Sequence, residues 1–200
     1  MLTGGTRAKK IGVLAQQGDF SEHIALLRRL DVEAFPVRLA KELEGLDGLV
    51  IPGGESSTMG KLMKEYDLTE PVRGLAKEGL PILGTCAGMI LLAKRVSGLN
   101  LEPLGAMDIE VRRNAFGRQV DSFETDLEIP VIGEPPFRGV FIRAPFIERA
   151  GDGVEILARL PNGMGVAARQ GNMVALAFHP ELTNDLRLHA YFLSIVHGGR

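Results

Sequence analysis

Cys86, the single cysteine of the chain, stands in a stretch that predicts a sharp turn from a strand into a helix. The apolar run Pro81-Ile82-Leu83 precedes it, an apolar helical pattern starts at Met89, and the stretch itself reads Gly84-Thr85-Cys86-Ala87-Gly88. Glycines on both sides permit strained backbone angles and a close approach of strand and helix, as in a nucleophile elbow. Free N–H groups at the helix start would favour the thiolate, so Cys86 is predicted to be a nucleophile.

A lone cysteine is more often a small buried apolar side chain, so this prediction requires that the chain also supply a base. The last predicted strand, residues 173–178, delivers His179-Pro180-Glu181 at its carboxyl end. A carboxylate two positions after an imidazole can orient the ring and stabilise its protonated form, which predicts His179 as the base and Glu181 as its orienting group. The remaining histidines are interpreted as surface or packing residues: His23, His189 and His197.

The glycine-rich loop Pro52-Gly53-Gly54-Glu55-Ser56-Ser57 follows the third predicted strand. In an α/β fold it leaves the same sheet edge as the elbow, so its backbone N–H groups, together with that of Ala87, could bind an oxyanion. Nucleophile, oxyanion donors and base together predict an acyl-transfer site. The Cys86 thiolate would attack a carbonyl, His179 would protonate the leaving group, and water would hydrolyse the thioester. Ammonia is the expected leaving group.

The order of apolar segments predicts an α/β fold: a single doubly wound, mostly parallel sheet flanked by helices, of the flavodoxin-like type. Predicted strands and helices alternate in the first half: strands at 10–15, 32–37, 48–51 and 81–83, and helices after a cap at Ser21 and at 39–43, 58–66, 70–78 and from the elbow to about 96. Short alternating segments with turn signals between them then predict added antiparallel strands at 109–112, 120–123, 139–142, 154–160, 165–169 and 173–178. A final helix is predicted at 184–196.

Composition narrows the class of protein. With 200 residues, 45% of them hydrophobic, and no linker-like tract, one domain is expected over residues 1–200. A net charge of −2 without a basic cluster argues against a nucleic-acid partner. One cysteine excludes an internal disulfide, residues 1–10 lack the apolar core of a signal peptide, and no apolar run reaches transmembrane length, so a cytoplasmic protein without a membrane partner is expected. No cysteine and histidine spacing predicts a metal site.

These motifs resemble those of the class I glutamine amidotransferases, and most closely the glutaminase subunits of pyridoxal 5'-phosphate synthase. The resemblance covers residues 11–196, in the order of that family, and rests on Pro52-Gly53-Gly54-Glu55-Ser56, Gly84-Thr85-Cys86-Ala87-Gly88, Arg113-Asn114-Ala115-Phe116-Gly117-Arg118-Gln119-Val120-Asp121-Ser122-Phe123, Phe141-Ile142-Arg143-Ala144-Pro145 and Phe178-His179-Pro180-Glu181-Leu182-Thr183. The cysteine and His-Pro-Glu motifs identify the superfamily, whereas the block from Arg113 to Phe123 is specific to this subunit.

The resemblance implies hydrolysis of L-glutamine to L-glutamate and ammonia without a cofactor. The ammonia would pass to a separate synthase subunit that makes pyridoxal 5'-phosphate (vitamin B6), within a hetero-oligomeric complex. It also implies site residues: the triad Cys86, His179 and Glu181, the oxyanion donors Gly54 and Ala87, and the glutamine-binding residues Gly54, Glu55, Ser56, Arg113, Ile142 and Arg143. Two positions depart from the family, Gln16 where leucine is common and Phe146 where histidine is common.

Two other readings stay open at this point. The chain could serve an amidotransferase with a different acceptor, although such subunits would lack the block that starts at Arg113. It could also be a non-catalytic binding or regulatory module, which intact Cys86, His179 and Glu181 argue against. Within the leading reading, a loop as rich in glycine as residues 52–57 can change its backbone state, so activity that depends on the synthase partner is expected.

Overall fold

The computed structural model describes residues 7–98, 102–113 and 122–199. Its strands and helices, in chain order, are β1 (Lys10–Leu14), α1 (Phe20–Arg28), β2 (Glu33–Val37), β3 (Gly48–Ile51), α2 (Ser56–Glu65), α3 (Thr69–Lys77), β4 (Ile82–Thr85), α4 (Ala87–Leu92), β5 (Ala93–Ser97), β6 (Met107–Arg112), β7 (Ser122–Leu127), β8 (Phe137–Ile142), β9 (Phe146–Ala150), β10 (Glu155–Arg159), β11 (Gly165–Gln170), β12 (Met173–Leu176) and α5 (Arg187–Val196). Short 3-10 helices lie at Ala40–Leu43, Pro130–Ile132 and Pro180–Leu182.

Within the described residues, ten strands form one sheet in the order β2-β1-β3-β4-β12-β11-β9-β6-β5, with β10 against β11. The strands from β2 to β12 run parallel. Strand β11 pairs antiparallel with β12, and β9 pairs antiparallel with β11. Strands β7 and β8 form a separate antiparallel pair. The predicted α/β class, with a mostly parallel sheet and antiparallel additions in the second half, is therefore confirmed.

The central strands β3 and β4 are buried along their whole length, as expected for parallel strands whose two faces are covered by helices. Helix α1 turns a buried face toward this sheet, and α5 does the same from the other end of the chain. The carboxyl ends of β1, β3, β4 and β12 consequently meet at one edge. No helix in the described ranges is long and apolar enough to span a membrane.

Strand β5 is the main departure from the sequence prediction. The elbow helix was expected to run to about residue 96, but α4 ends at Leu92 and the next residues pair in parallel with β6. Lys94 of β5 is ion-paired with Asp108 of β6 across 2.9 Å. The prediction is wrong because an apolar run followed by charged residues fits a helix as well as a strand, and only the distant partner strand decides between them.

Smaller differences have similar causes. Strand β9 was not predicted, and it is held by pairing with β6 and β11 on either side. Ser21 does not cap α1, since its hydroxyl donates to the Glu22 carboxylate and Asp19 occupies the cap position. The predicted strand at 120–123 begins outside the described residues, and β7 is described from Ser122 onward.

Gly88 allows α4 to lie directly against the end of β3. A Cβ atom at this position would lie 2.0 Å from the Ile51 carbonyl oxygen, which is far inside van der Waals contact. Because the obstructing atom belongs to the backbone of a buried strand, it has little freedom to move. The first turn of α4 is therefore fixed against the sheet edge by the lack of a side chain.

A Gly88→Ala substitution is expected to lower the free energy of unfolding by roughly 1–3 kcal/mol, the usual cost of overpacking a buried site. Gly74→Ala is the matched control, because Gly74 is also helical and a Cβ there meets nothing within 4 Å. That control is expected to raise stability by roughly 0.5–1 kcal/mol through helix propensity. Urea denaturation of both variants measures the difference, and equal effects would contradict the packing described for α4.

Candidate active site

Cys86 occupies the turn between β4 and α4 with a strained backbone. Its φ is +48° and its ψ is −100°, and its N–H donates to the Leu176 carbonyl oxygen across 2.8 Å. A side chain in this region costs on the order of 1–3 kcal/mol, which persists only where the surroundings enforce it. The Cys86 thiol is largely buried and lies 3.9 Å from the Ile142 carbonyl oxygen. The fold thus holds the sulfur at the carboxyl edge of the sheet.

His179 and Glu181 follow β12 and reach the same edge. The Nδ1 atom of His179 lies 2.7 Å from Oε1 of Glu181, and both side chains are buried. The 3-10 turn that begins at Pro180 brings the carboxylate back beneath the ring. The His179 N–H donates to the Val140 carbonyl oxygen of β8 across 2.9 Å, which ties this segment to the small antiparallel pair.

The two side chains are charged at neutral pH. Burial lowers the pKa of His179, but interactions with Cys86 and Glu181 outweigh it and raise the pKa to about 10. Burial likewise raises the pKa of the Glu181 carboxyl, yet the neighbouring His23 and His179 hold it well below its usual range. An imidazolium beside Cys86 favours the thiolate. The arrangement can therefore supply a nucleophile and a proton donor at the same time.

A cavity of about 370 Å³ opens onto Cys86 and His179, a volume within the range of small-molecule sites. It is lined by all six residues that the family resemblance implies for glutamine binding: Gly54, Glu55, Ser56, Arg113, Ile142 and Arg143. Ala87 is buried in the first turn of α4, and Glu181 lies behind His179. Residues 114–121 of the subunit-specific block lie outside the described residues.

Glu55 and Arg113 are paired across the cavity wall. The Glu55 carboxylate caps α2, accepting from the Thr58 N–H at 2.7 Å and the Ser57 N–H at 3.2 Å. Burial raises the pKa of Glu55, but these hydrogen bonds outweigh it and lower the pKa to about 2. The Arg113 guanidinium lies 3.2 Å from this carboxylate and also donates to the Ser57 hydroxyl. The ionised Glu55 carboxylate therefore holds the Arg113 guanidinium at the cavity.

Ser56 and Arg143 contribute two further features of the cavity. Ser56 lines the cavity, but its hydroxyl oxygen is buried and has no hydrogen-bond partner among the described residues. Arg143 has a φ of +43°, so a second strained residue lies at the cavity besides Cys86. Strain of this kind is characteristic of functional sites.

Three cavity residues that follow β1 were not predicted as site residues: Gln17, Gly18 and Asp19. Gln17 accepts the Glu55 N–H across 2.9 Å, and an Oδ atom of Asp19 lies 3.4 Å from Nδ1 of His179. Burial raises the pKa of Asp19, and the nearby Glu181 charge acts in the same direction. The carboxyl end of β1 lies at the same sheet edge as the elbow. The residues after β1 could therefore have been predicted to line the site. Gln16, the first departure from the family, bonds the Arg38 carbonyl oxygen instead of lining the cavity.

The interpretation of the remaining histidines needs one correction. His197 is exposed and bonds the Leu193 carbonyl oxygen of its own helix, as a surface residue would. His23 and His189 are completely buried, and His23 lies 3.2 Å from Glu181. His23 therefore does more than pack, since its ring contacts the carboxylate directly, and His189 contacts His23. Phe146, the second departure, begins β9 and lies outside the cavity lining.

A cysteine at a strand-to-helix elbow, backed by a buried histidine and carboxylate, defines the class of thiol-dependent acyl-transfer proteins. The sequence matches the SNO glutamine amidotransferase family over residues 13–197, and the chain belongs to that family. The resemblance found in the sequence is thus confirmed.

Relatives with assigned names agree with this membership. Pyridoxal 5'-phosphate synthase subunit PdxT of Moorella thermoacetica is 59% identical over 187 residues, which cover 94% of this chain and 99% of the relative. The protein of the same name from Pelotomaculum thermopropionicum is 59% identical over 184 residues, covering 92% and 93%. A crystal structure of a glutamine amidotransferase superposes with a TM-score of 0.88 at 53% identity, covering 94% of this chain and 98% of that one.

Proposed function

We propose that the chain is the glutaminase subunit of a pyridoxal 5'-phosphate synthase, hydrolysing L-glutamine to L-glutamate and ammonia. The observation that carries the proposal is the row of Cys86, His179 and Glu181 at a cavity that Arg113 also lines. The synthase assignment is supported by relatives named as PdxT subunits that match nearly the whole chain. The setting is the cytoplasm, and the reaction requires no metal or cofactor.

The reaction proceeds through a thioester. The Cys86 thiolate attacks the side-chain amide carbon of glutamine, and the N–H groups of Gly54 and Ala87 stabilise the oxyanion. His179 gives its proton to the departing nitrogen, and ammonia leaves as the carbonyl re-forms on sulfur. The neutral ring then takes a proton from water, whose oxygen attacks the thioester. Glutamate leaves, the thiolate returns, and His179 is again an imidazolium held by Glu181.

The other end of the substrate is bound by the remaining cavity residues. Arg113 suits the α-carboxylate, because a guanidinium forms strong charge-assisted hydrogen bonds with carboxylates. Ser56, Ile142 and Arg143 also line the cavity. Glu55 acts through Arg113, since its own oxygens are already occupied by the start of α2. Specificity for glutamine then follows from fixing both ends of a short amino acid.

The synthase subunit receives the ammonia and also controls its production. Gly54 has a φ of +155°, a backbone region that favours glycine, and the preceding Gly53 carbonyl oxygen accepts the Asp19 N–H at 3.3 Å. A Cβ atom on Gly18 would lie 1.8 Å from that oxygen, so this loop is closely packed against the segment after β1. Turning the peptide between Gly53 and Gly54 would redirect its N–H, and docking of the partner supplies the interaction energy for that change.

Ammonia release from L-glutamine tests the proposal, with the purified chain measured alone and together with a cognate synthase subunit. Release is expected to rise at least about 10-fold on mixing, the size of a typical coupling energy, and to vanish in Cys86→Ala. Activity that ignores the synthase would point to another acceptor pathway. Activity that survives in Cys86→Ala, or none at all in the complex, would contradict the proposal and favour a binding module.

Arg113→Met is expected to raise the KM for glutamine roughly 10- to 100-fold with a smaller effect on kcat, because a hydrogen bond to a charged group is lost. Arg112→Met is the matched control: its side chain is exposed, points to the other face of β6 and pairs with Glu148. Steady-state kinetics of the complex measure both. Equal KM values in the two variants would show that Arg113 does not bind glutamine.

A further inference from the structure

Two buried histidines extend the row of site residues behind Glu181, away from the cavity. His23 of α1 and His189 of α5 are each 0% exposed. The Nδ1 atom of His23 lies 2.9 Å from Nε2 of His189, and its Nε2 atom lies 3.2 Å from Oε2 of Glu181. Because Oε1 of Glu181 bonds His179 at 2.7 Å, four side chains form a continuous row from the last helix to the cavity.

The protons in this row can be assigned from its far end. Burial lowers the pKa of His189 to about 3, so this ring is neutral and carries one proton. Its Nδ1 atom has no hydrogen-bond partner among the described residues, and a buried N–H without an acceptor is rare. The proton therefore lies on Nε2, which donates to His23. With its Nδ1 atom occupied as an acceptor, His23 carries a proton on Nε2, facing Thr85 and Glu181.

The proton on Nε2 of His23 faces two oxygen atoms. The Thr85 hydroxyl lies 3.1 Å from Nε2 of His23 and is the aligned partner, whereas Oε2 of Glu181 has no aligned donor among the described residues. The contact between His23 and the carboxylate is thus mainly electrostatic. A buried carboxylate oxygen without any polar N–H nearby would be costly, so the contact with the neutral His23 ring favours one position for Oε2.

We propose that His23, held in one tautomer by His189, is a positioning residue for the glutaminase reaction. It fixes Glu181 so that Oε1 stays on Nδ1 of His179 and the other ring nitrogen stays on the Cys86 side. The inference rests on the proposed function and assigns to it two residues outside the triad. The titratable groups that surround His23 and Glu181 are Asp19 and Glu22 from the start of α1, Cys86 at the elbow, His179 and His189.

Two polar substitutions separate positioning from packing. His23→Gln places an amide N–H near the former Nε2 atom, whereas His23→Asn places one near Nδ1 and cannot reach Glu181. In the complex with the synthase subunit, the alkaline limb of kcat/KM reports loss of the imidazolium proton. Weaker support from Glu181 lowers the pKa of His179, so His23→Asn is expected to move that limb to lower pH by about one unit or more. It should also lower kcat roughly 10-fold at an unchanged KM.

His23→Gln is expected to retain most of the activity and an unshifted limb, and His197→Asn, at the exposed end of α5, is the control for removing a histidine. The result that would overturn the proposal is an equal response of the Gln and Asn variants, whether both are impaired or both are normal. Iodoacetamide alkylation of Cys86 in the isolated chain adds a readout without glutamine: at neutral pH, His23→Asn should react at least about 10-fold more slowly than His23→Gln. If wild-type complex released no ammonia, the proposed function would fail while this comparison still decided the role of His23.

Discussion

The buried negative charge of Glu181 is the constraint on which the site depends. A carboxylate removed from water must be compensated on both oxygens, and here His179 lies against one and His23 against the other. These partners come from the segment after β12 and from α1, and His189 adds a contact from α5. The compensation requires three elements, far apart in the chain, to pack at one place. The raised pKa of His179 consequently depends on the folded arrangement of these elements.

A second constraint lies in the backbone around the sulfur. Cys86 and Arg143 both have positive φ values, although neither is glycine. The conformation of Cys86 persists because β4 enters the turn as a central strand and Gly88 lets α4 dock on β3. The turn that holds Cys86 is rigid. In the glycine-rich loop at residues 52–57, by contrast, the peptide between Gly53 and Gly54 can rotate without moving a side chain. The fold thus preorganises the turn that carries Cys86, whereas the glycine-rich loop keeps backbone freedom.

Much of this arrangement could be predicted from the sequence, because its signals are local. The elbow glycines, the His-Pro-Glu segment and the strand order each lie within a few residues, and their common position follows from the edge rule for parallel sheets. Strands β5 and β9 could not be predicted, since their conformation depends on pairing with β6. Ser21 was assigned as a cap that Asp19 occupies instead, because capping depends on the exact start of the helix.

The contacts of the two histidines behind Glu181 could not be predicted from the sequence. His23 and His189 are 166 residues apart, and a histidine on an apolar helix face is usually a packing residue. Only the folded structure brings His23 of α1 against Glu181 and His189 of α5 against His23. Asp19 was missed for a related reason, since its contact with His179 depends on how the loop after β1 folds back.

The central claim is that the His179 ring is already an imidazolium in the protein before glutamine binds. Heteronuclear NMR of the His179 ring nitrogens in the isolated chain, followed through a pH titration, tests it directly. The account predicts that both ring nitrogens stay protonated until the pH approaches about 10, and that the transition moves to lower pH in Cys86→Ala and in Glu181→Gln. A ring that titrates near the unperturbed value of about 6.5 in all three proteins would contradict it.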